Sequence, residues 1–333
     1  MLFMGITTES VRLPTIDVMS ETVTPAEPPS PAPSDVEVSE ELTASLPSGI
    51  ELCYQTFGDR SDRPLLLVMG LGGPMTWWPL ELCRRLADEG FFVIRYDNRD
   101  TGHSTSLSHL RVRRSDLVRG FLGRRIAVPY SLRDMADDAF GLLDHLQIDA
   151  AHVTGVSMGG MIAQTMAIEH PDRVLSLTSI MSTTGARTKG FQHPVLLPGL
   201  LRRGARTKEQ YVEGTVVFQK LIASPDYPTP DDKVRERAEV TYERGLNFPG
   251  VMRHMVAVIT QPDRTRKLAE LRMPVTVVHG TRDRMVHVSG GRATAQAVPG
   301  ADLRLVPGMG HDLPEGLFDT FVDAISSSAA RAG

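Results

Sequence analysis

Short apolar runs, most of them closed by a glycine, proline or aspartate, recur along the chain from about residue 65. Leu65–Met69 runs into Gly70, and Phe91-Phe92-Val93-Ile94-Arg95-Tyr96 ends at Asp97. His152-Val153-Thr154, Val174–Ile180, Val275–His279 and Leu303–Val306 repeat the pattern. Continuous apolar runs bounded by turn residues suit strands of a parallel sheet covered on both faces. Between them the apolar positions change to a helical period. The clearest case is Ser131–Leu146, where Leu132, Met135, Ala136, Ala139, Phe140, Leu143 and Leu146 share one face and Ser131 with Asp134 forms a capping box. The alternation predicts an α/β fold, a mostly parallel doubly wound sheet with helices on both faces.

The alternation stops between about 185 and 268. Residues 207–223, 230–246 and 249–260 read as helices separated by Pro, Gly and Asn, and the strand pattern resumes at Pro274. A helical block between two sheet strands predicts an inserted cap over the strand ends. At the other end, Pro25, Pro28, Pro29, Pro31 and Pro33 crowd a segment rich in Ser, Glu and Thr, which buries too little apolar surface to offset its ordering entropy. The expected organisation is a disordered tail over 1–45, a first core part over 46–184, a helical cap over 185–268 and a second core part over 269–333.

Composition narrows the functions. The net charge is −4 over 333 residues, which gives no reason to expect nucleic acid as a partner. Two cysteines, Cys53 and Cys83, are too few for a disulfide framework or a cysteine-based metal site, and no His/Asp/Glu cluster has metal-ligand spacing. No stretch reaches the roughly 20 apolar residues needed to span a bilayer. The opening run Met1–Ile6 is too short for a signal peptide, and Met19 is a second candidate start. These features read as a soluble, cytoplasmic protein with no cofactor and no metal.

The strongest motif is Gly155-Val156-Ser157-Met158-Gly159, followed by Gly160. A strand-like run precedes it, and a helix-like Met161–Glu169 follows. A serine on such a strand-to-helix turn exposes its hydroxyl above the sheet, and the following helix points its positive end at the site. The hydroxyl needs a base, and the base needs an acid that fixes its tautomer. Asp283 lies just past the strand Val275–His279. His311 lies in the glycine-rich loop after Leu303–Val306, so the order Ser157, Asp283, His311 follows the strand ends. Each alone reads better as a turn aspartate or a surface histidine than as a catalytic group; together, in this order and each after a strand, they read as catalytic. Asp312 is the weaker acid candidate, because chain neighbours rarely orient each other's side chains. An oxyanion hole requires two backbone N–H donors, here Met158 and, in Gly70-Leu71-Gly72-Gly73, Leu71.

From about 48 to 328 the chain resembles the α/β-hydrolases. The residues that carry the resemblance are Val68–Gly73, Arg95-Tyr96-Asp97-Asn98-Arg99-Asp100-Thr101-Gly102-His103-Ser104, Gly155–Gly160, His279–Asp283 and Gly310-His311. The segment Arg95–Ser104 looks most like the branch containing aclacinomycin methylesterase and related actinobacterial lipase/esterase-type enzymes. The resemblance implies that Asp97 and Arg99 buttress a turn rather than react. Many relatives carry glycine at Asp100, and many open the oxyanion loop with His-Gly where this chain has Met69-Gly70.

Together these features predict a serine hydrolase that cleaves a small-molecule carboxylic ester, apolar or aromatic, through an acyl-enzyme. The same triad also serves C–C bond hydrolysis, acyl transfer or cofactor-free perhydrolysis, and a non-catalytic binding protein is a third reading. Three further features stay open. Arg111, Arg113, Arg114, Arg119, Arg124 and Arg125, with Leu117, Phe121 and Leu122 among them, read as a solvated basic face or as a surface for an acidic substrate or lipid. Trp77 and Trp78 suit core packing or a pocket wall. Met255 and Val258 suit burial or contact with substrate.

Overall fold

The computed structural model describes residues 36–196 and 207–333. Among them, eight strands form one sheet: β1 Leu42–Ser45, β2 Glu51–Phe57, β3 Arg63–Val68, β4 Phe91–Tyr96, β5 Ala151–Val156, β6 Val174–Ile180, β7 Val275–Gly280 and β8 Asp302–Val306. The strand order is β1-β2-β4-β3-β5-β6-β7-β8. β1 and β2 run antiparallel to their neighbours; the remaining pairs are parallel. β4, β5 and β7 are buried along their whole length, as their uninterrupted apolar runs require.

Two strands are absent from the expectation. β2 carries Glu51, Gln55 and Thr56 among its seven residues and so lacks a continuous apolar run, and β1 has only four residues, of which Ala44 alone is buried. Val38 forms a bridge with Phe57, and Thr43 pairs with Cys53. Residues 36–45 of the expected disordered tail are therefore bound to the sheet edge. Backbone hydrogen bonds to a neighbouring strand hold them where composition offers little apolar burial. The remainder of that tail, 1–35, lies outside the described residues.

Helices cover both faces. α1 Leu80–Asp88 buries Leu82, Cys83 and Leu86 against Phe57, Leu65, Leu67 and Val93. Trp78, just before it, is fully buried in the same cluster and acts as core rather than pocket wall. A short α2, Arg114–Phe121, precedes α3 Leu132–His145. The expected capping box of α3 is present: Ser131 Oγ accepts from the Asp134 amide, and Asp134 accepts from the Ser131 amide. α4 Met158–Glu169 packs with α3 on the second face, against Leu66, Val68, Ile94 and Val153. It starts three residues earlier than its periodicity suggests, because close packing overrides the poor helix propensity of Gly159 and Gly160.

Between β6 and β7 lie α5 Lys208–Ile222, α6 Asp231–Glu243, α7 Phe248–Thr260 and the single turn α8 Thr265–Leu268. The side chains of Thr207 and Asn247 cap α5 and α7 by accepting from Gln210 and Gly250 amides. α9 Ser289–Ala297 and α10 Phe318–Ala330 complete the layers. Among the described residues, no helix is long and apolar enough to cross a membrane.

The helices after β6 are fastened to the segment after β4 by buried polar bonds. Arg253 of α7 donates to both carboxylate oxygens of Asp100, at 2.7 and 2.6 Å, and neither side chain is exposed. Arg244 after α6 donates to Asp97 Oδ2 at 2.7 Å. Asp97 Oδ1 accepts the Met75 amide and its Oδ2 the His103 amide, while Arg99 forms a two-bonded pair with Asp138. A buried ion pair adds little net stability against an apolar substitute, but losing one partner is costly, so these pairs fix where the helices sit.

Candidate active site

β5 passes into α4 through a single residue, Ser157, at φ 56° and ψ −118°. A non-glycine residue in that region costs about 1–3 kcal/mol and persists only where packing imposes it. The packing is visible at two glycines. A Cβ on Gly155 would lie 2.2 Å from the Gly159 carbonyl oxygen, and one on Gly159 would lie 2.0 Å from that of Val68. Side chains at either position would push strand and helix apart and flatten the turn.

The turn brings Ser157 to two residues that are 126 and 154 positions further along the chain. Ser157 Oγ lies 3.0 Å from His311 Nε2, and His311 Nδ1 lies 2.8 Å from Asp283 Oδ2. Asp283 Oδ1 accepts the amides of Met285 and Val286, both at 2.8 Å. Burial pushes the Asp283 carboxyl up, but the His311 charge and hydrogen bonds from His279 and His311 outweigh it and hold the group below the usual carboxylate range. An ionised Asp283 requires a proton on His311 Nδ1, which leaves Nε2 as an acceptor for the serine hydroxyl.

The cap helices hold the histidine loop. The His311 amide donates to the Ile222 carbonyl at the end of α5, 2.7 Å away, and the Gly310 amide to Ser224 Oγ at 2.9 Å. Asp312 turns away from His311. Its Oδ1 accepts from the Ser224 amide and hydroxyl at 3.0 and 2.5 Å, and its Oδ2 from Gln219 at 3.1 Å. It therefore anchors the loop to the cap.

Gly70 lies against the elbow: a Cβ there would be 3.3 Å from Ser157 Cβ and 3.9 Å from the Met158 nitrogen. Met158 opens α4, so its amide has no partner within the helix. The Leu71 amide follows Gly70 at a turn closed by the Gly73 amide on the Gly70 carbonyl. Gly70 thus brings the segment that carries the Leu71 amide against the elbow that carries the Met158 amide.

Three further neighbours of the site have partners that the sequence pattern did not show. His254 of α7 bonds the oxyanion loop at Gly72 and the Arg99 carbonyl. His279, at the end of β7, donates Nε2–H to the Val286 carbonyl at 2.8 Å, and the same nitrogen is 3.4 Å from Asp283 Oδ2. Trp77 Nε1 donates to Thr241 of α6, so Trp77 ties the oxyanion loop region to the cap. No local signal marks these partners, because each bond joins segments whose contact the pattern of either one does not encode.

Away from the serine, Glu41, Cys53 and His103 bring one donor atom each to within 4.8 Å of one another, a grouping the sequence spacing did not show. The Arg244 guanidinium lies among them, paired with Glu41 and 3.5 Å from Cys53 Sγ. Burial, with the charges of Asp97 and Glu41, pushes the Cys53 thiol up to about 12. The pairing of Arg244 with Glu41 makes this group an ion-paired anchor.

The sheet order and this relay fit one known architecture, and residues 63–315 match the family described as alpha/beta hydrolase fold. The chain belongs to the α/β-hydrolase family. Among its relatives is rhodomycin D methylesterase DauP of Streptomyces sp. (strain C5), 31% identical over 305 residues, covering 85% of this chain and 96% of that protein. Rhodomycin D methylesterase DnrP of Streptomyces peucetius is 29% identical over 302 residues, with the same coverage of 85% and 96%. Among solved structures, the enol-lactonase from Burkholderia xenovorans LB400 superposes with a TM-score of 0.67 at 23% identity, covering 87% of this chain and all of that one; this shows a shared fold.

Proposed function

We propose that this α/β-hydrolase is a serine hydrolase that cleaves a small-molecule carboxylic ester through an acyl-enzyme. The observation that carries the reading is the relay Ser157–His311–Asp283, with 3.0 and 2.8 Å links, at a strained strand-to-helix turn. The methylesterase relatives support a methyl ester as substrate class, and the expectation of an apolar or aromatic acid part is carried over from the sequence. A cytoplasmic location belongs to the same reading, supported by two free, buried cysteines.

Ser157 Oγ attacks the ester carbonyl carbon while its proton passes to His311 Nε2. Asp283 stabilises the resulting imidazolium and keeps Nδ1 protonated. The amides of Leu71 and Met158 donate to the oxyanion, where preorganised donors are worth most. Collapse breaks the ester C–O bond, and the alcohol leaves with the proton from His311. Water then gives a proton to His311 and attacks the acyl carbon. The proton returns to Ser157 as the carboxylic acid departs.

A fluorophosphonate probe tests the nucleophile without knowledge of the substrate. Labelling of one site, mapped by mass spectrometry to Ser157, together with release of methanol from a panel of methyl esters, is the expected result. A folded protein that resists the probe, or ester turnover that survives Ser157→Ala, would refute the reading.

A further inference from the structure

The arginine-rich segment before α3 leaves a surface that the site does not use. α2 packs on α7 through Gly120, where a Cβ would meet Ile259 Cδ1 at 2.9 Å and Ile126 Cδ1 at 3.0 Å. Arg187 pins its end by donating to the Gly120 and Phe121 carbonyls. The opposite side faces solvent. Val118, Phe121 and Leu122 are 61, 75 and 63% exposed, and Val128 is 41% exposed. Val118, Phe121 and Leu122 stand at i, i+3 and i+4, so they share one helix face.

Six arginines lie close to that face in the chain, and Arg111, Arg113, Arg114, Arg119, Arg124 and Arg125 are all exposed. None forms an ion pair with a described residue, although the chain as a whole carries a net charge of −4. Between 110 and 130 the sole acid is Asp116, which accepts the Arg113 amide. Isolated exposed apolar side chains are ordinary, but an aromatic–leucine–valine face accompanied by six exposed arginines without an ion pair among the described residues is not.

We propose that this face docks the protein on an anionic lipid surface. The charge of the arginines complements acidic headgroups, and Phe121, Leu122 and Val118 supply the apolar side chains that enter the headgroup–acyl boundary. A second copy of the chain fits poorly, since a symmetric contact would set six guanidiniums against six. Nucleic acid would use the arginines but leaves the apolar face without a partner. α7 connects the surface to the elbow: Ile259 meets α2, and Val251, eight residues earlier and about 12 Å along the helix, lies against Gly72 of the oxyanion loop. Docking thus sets the cap at a surface where apolar esters collect, a consequence that rests on the hydrolase reading; the docking does not.

Sedimentation of the full chain with vesicles tests the proposal, using Ser157→Ala as well as the unsubstituted protein so that lipid binding is read apart from catalysis. Vesicles of equal parts phosphatidylcholine and phosphatidylglycerol should bind at least about tenfold more protein than phosphatidylcholine alone, with binding weakened by added salt. Phe121→Ser with Leu122→Ser, and separately Arg119→Glu with Arg124→Glu, should each lower binding about tenfold while hydrolysis of a water-soluble ester stays unchanged. Equal binding to both vesicle types would overturn the proposal. So would binding that falls in the arginine variant but not in the Phe121/Leu122 variant, the mark of charge attraction alone. The two pairs are exposed and far apart in chemistry, so a folding defect in one leaves the other decisive.

Discussion

His254 Nδ1 accepts the amide proton of Gly72 at 3.2 Å, while its Nε2 donates to the Arg99 carbonyl at 2.8 Å. One buried imidazole thus joins a cap helix, the oxyanion loop and the turn after β4. A donor on one side and an acceptor on the other admit only the neutral Nε2–H tautomer. Replacement by alanine leaves the Gly72 amide and the Arg99 carbonyl unpaired and frees the loop that carries the Leu71 amide. His254→Ala should lower kcat about tenfold with little change in KM, since the donors act on the transition state. Steady-state kinetics on a methyl ester would check this, and a change in KM alone would count against it.

The same imidazole gives the fold a pH dependence. Burial pushes His254 down to about 4, and burial with the Arg63 charge does the same to His152, whose Nδ1 faces Ser176 Oγ. In the unfolded chain both take up protons below about 6.5. The native state refuses them until about 4. Their contribution is therefore complete above about pH 6.5 and is lost progressively as pH falls towards 4. Urea midpoints measured across that range should fall with pH, and less steeply in His254→Asn. An equal slope in the variant would remove His254 from the account.

Asp283→Asn should keep the fold and lose the chemistry. Oδ1 accepts two amides, from Met285 and Val286, so an asparagine must place its oxygen there. Its NH2 group then faces His311 Nδ1, which forces the proton onto Nε2 and removes the acceptor for Ser157. A loss of about 10⁴ in kcat with unchanged thermal stability is expected. Labelling by the fluorophosphonate probe should slow in parallel.

Asp100 stands at φ 66°, a conformation glycine adopts freely, yet its carboxylate holds Arg253 and the Tyr130 hydroxyl. Asp100→Gly relieves about 1 kcal/mol of backbone strain. It also leaves a buried guanidinium without its partner, at a cost of about 3–5 kcal/mol. The variant should be less stable by about 3 kcal/mol, and adding Arg253→Met should recover most of the loss. A stable single variant in denaturant titration would show that the pair does not hold the cap.

Gly159→Ala should not yield folded protein. The added carbon meets the Val68 carbonyl oxygen, which is backbone of a central strand and cannot yield. Soluble expression with native circular dichroism would contradict the packing described for the elbow.

Much of the core was written in local pattern. Apolar runs place β3 through β7, because a strand buried on both faces needs no polar positions, and the run Leu303–Val306 places the edge strand β8. Ser131 and Asp134 announce α3, since a capping box is made within four residues. Ser157 announces itself through glycines that only a tight strand-to-helix turn requires, and the downstream order of Asp283 and His311 follows strand ends. β1 and β2 escaped because the edge strand β1 and its neighbour β2 carry half-polar sequences and are held by backbone pairing.

Only the tertiary structure decided what surrounds the serine. Asp312 and Asp283 look alike in sequence as acids near His311, yet one binds Ser224 and Gln219 while the other meets His311 Nδ1. The Arg253–Asp100 and His254–Gly72 bonds join residues 153 and 182 positions apart. Periodicity reports which side of an element is apolar. It carries no information on which distant element supplies a partner, because hydrogen bonds of that kind depend on positions that exist only once the sheet has formed and the cap has settled on it.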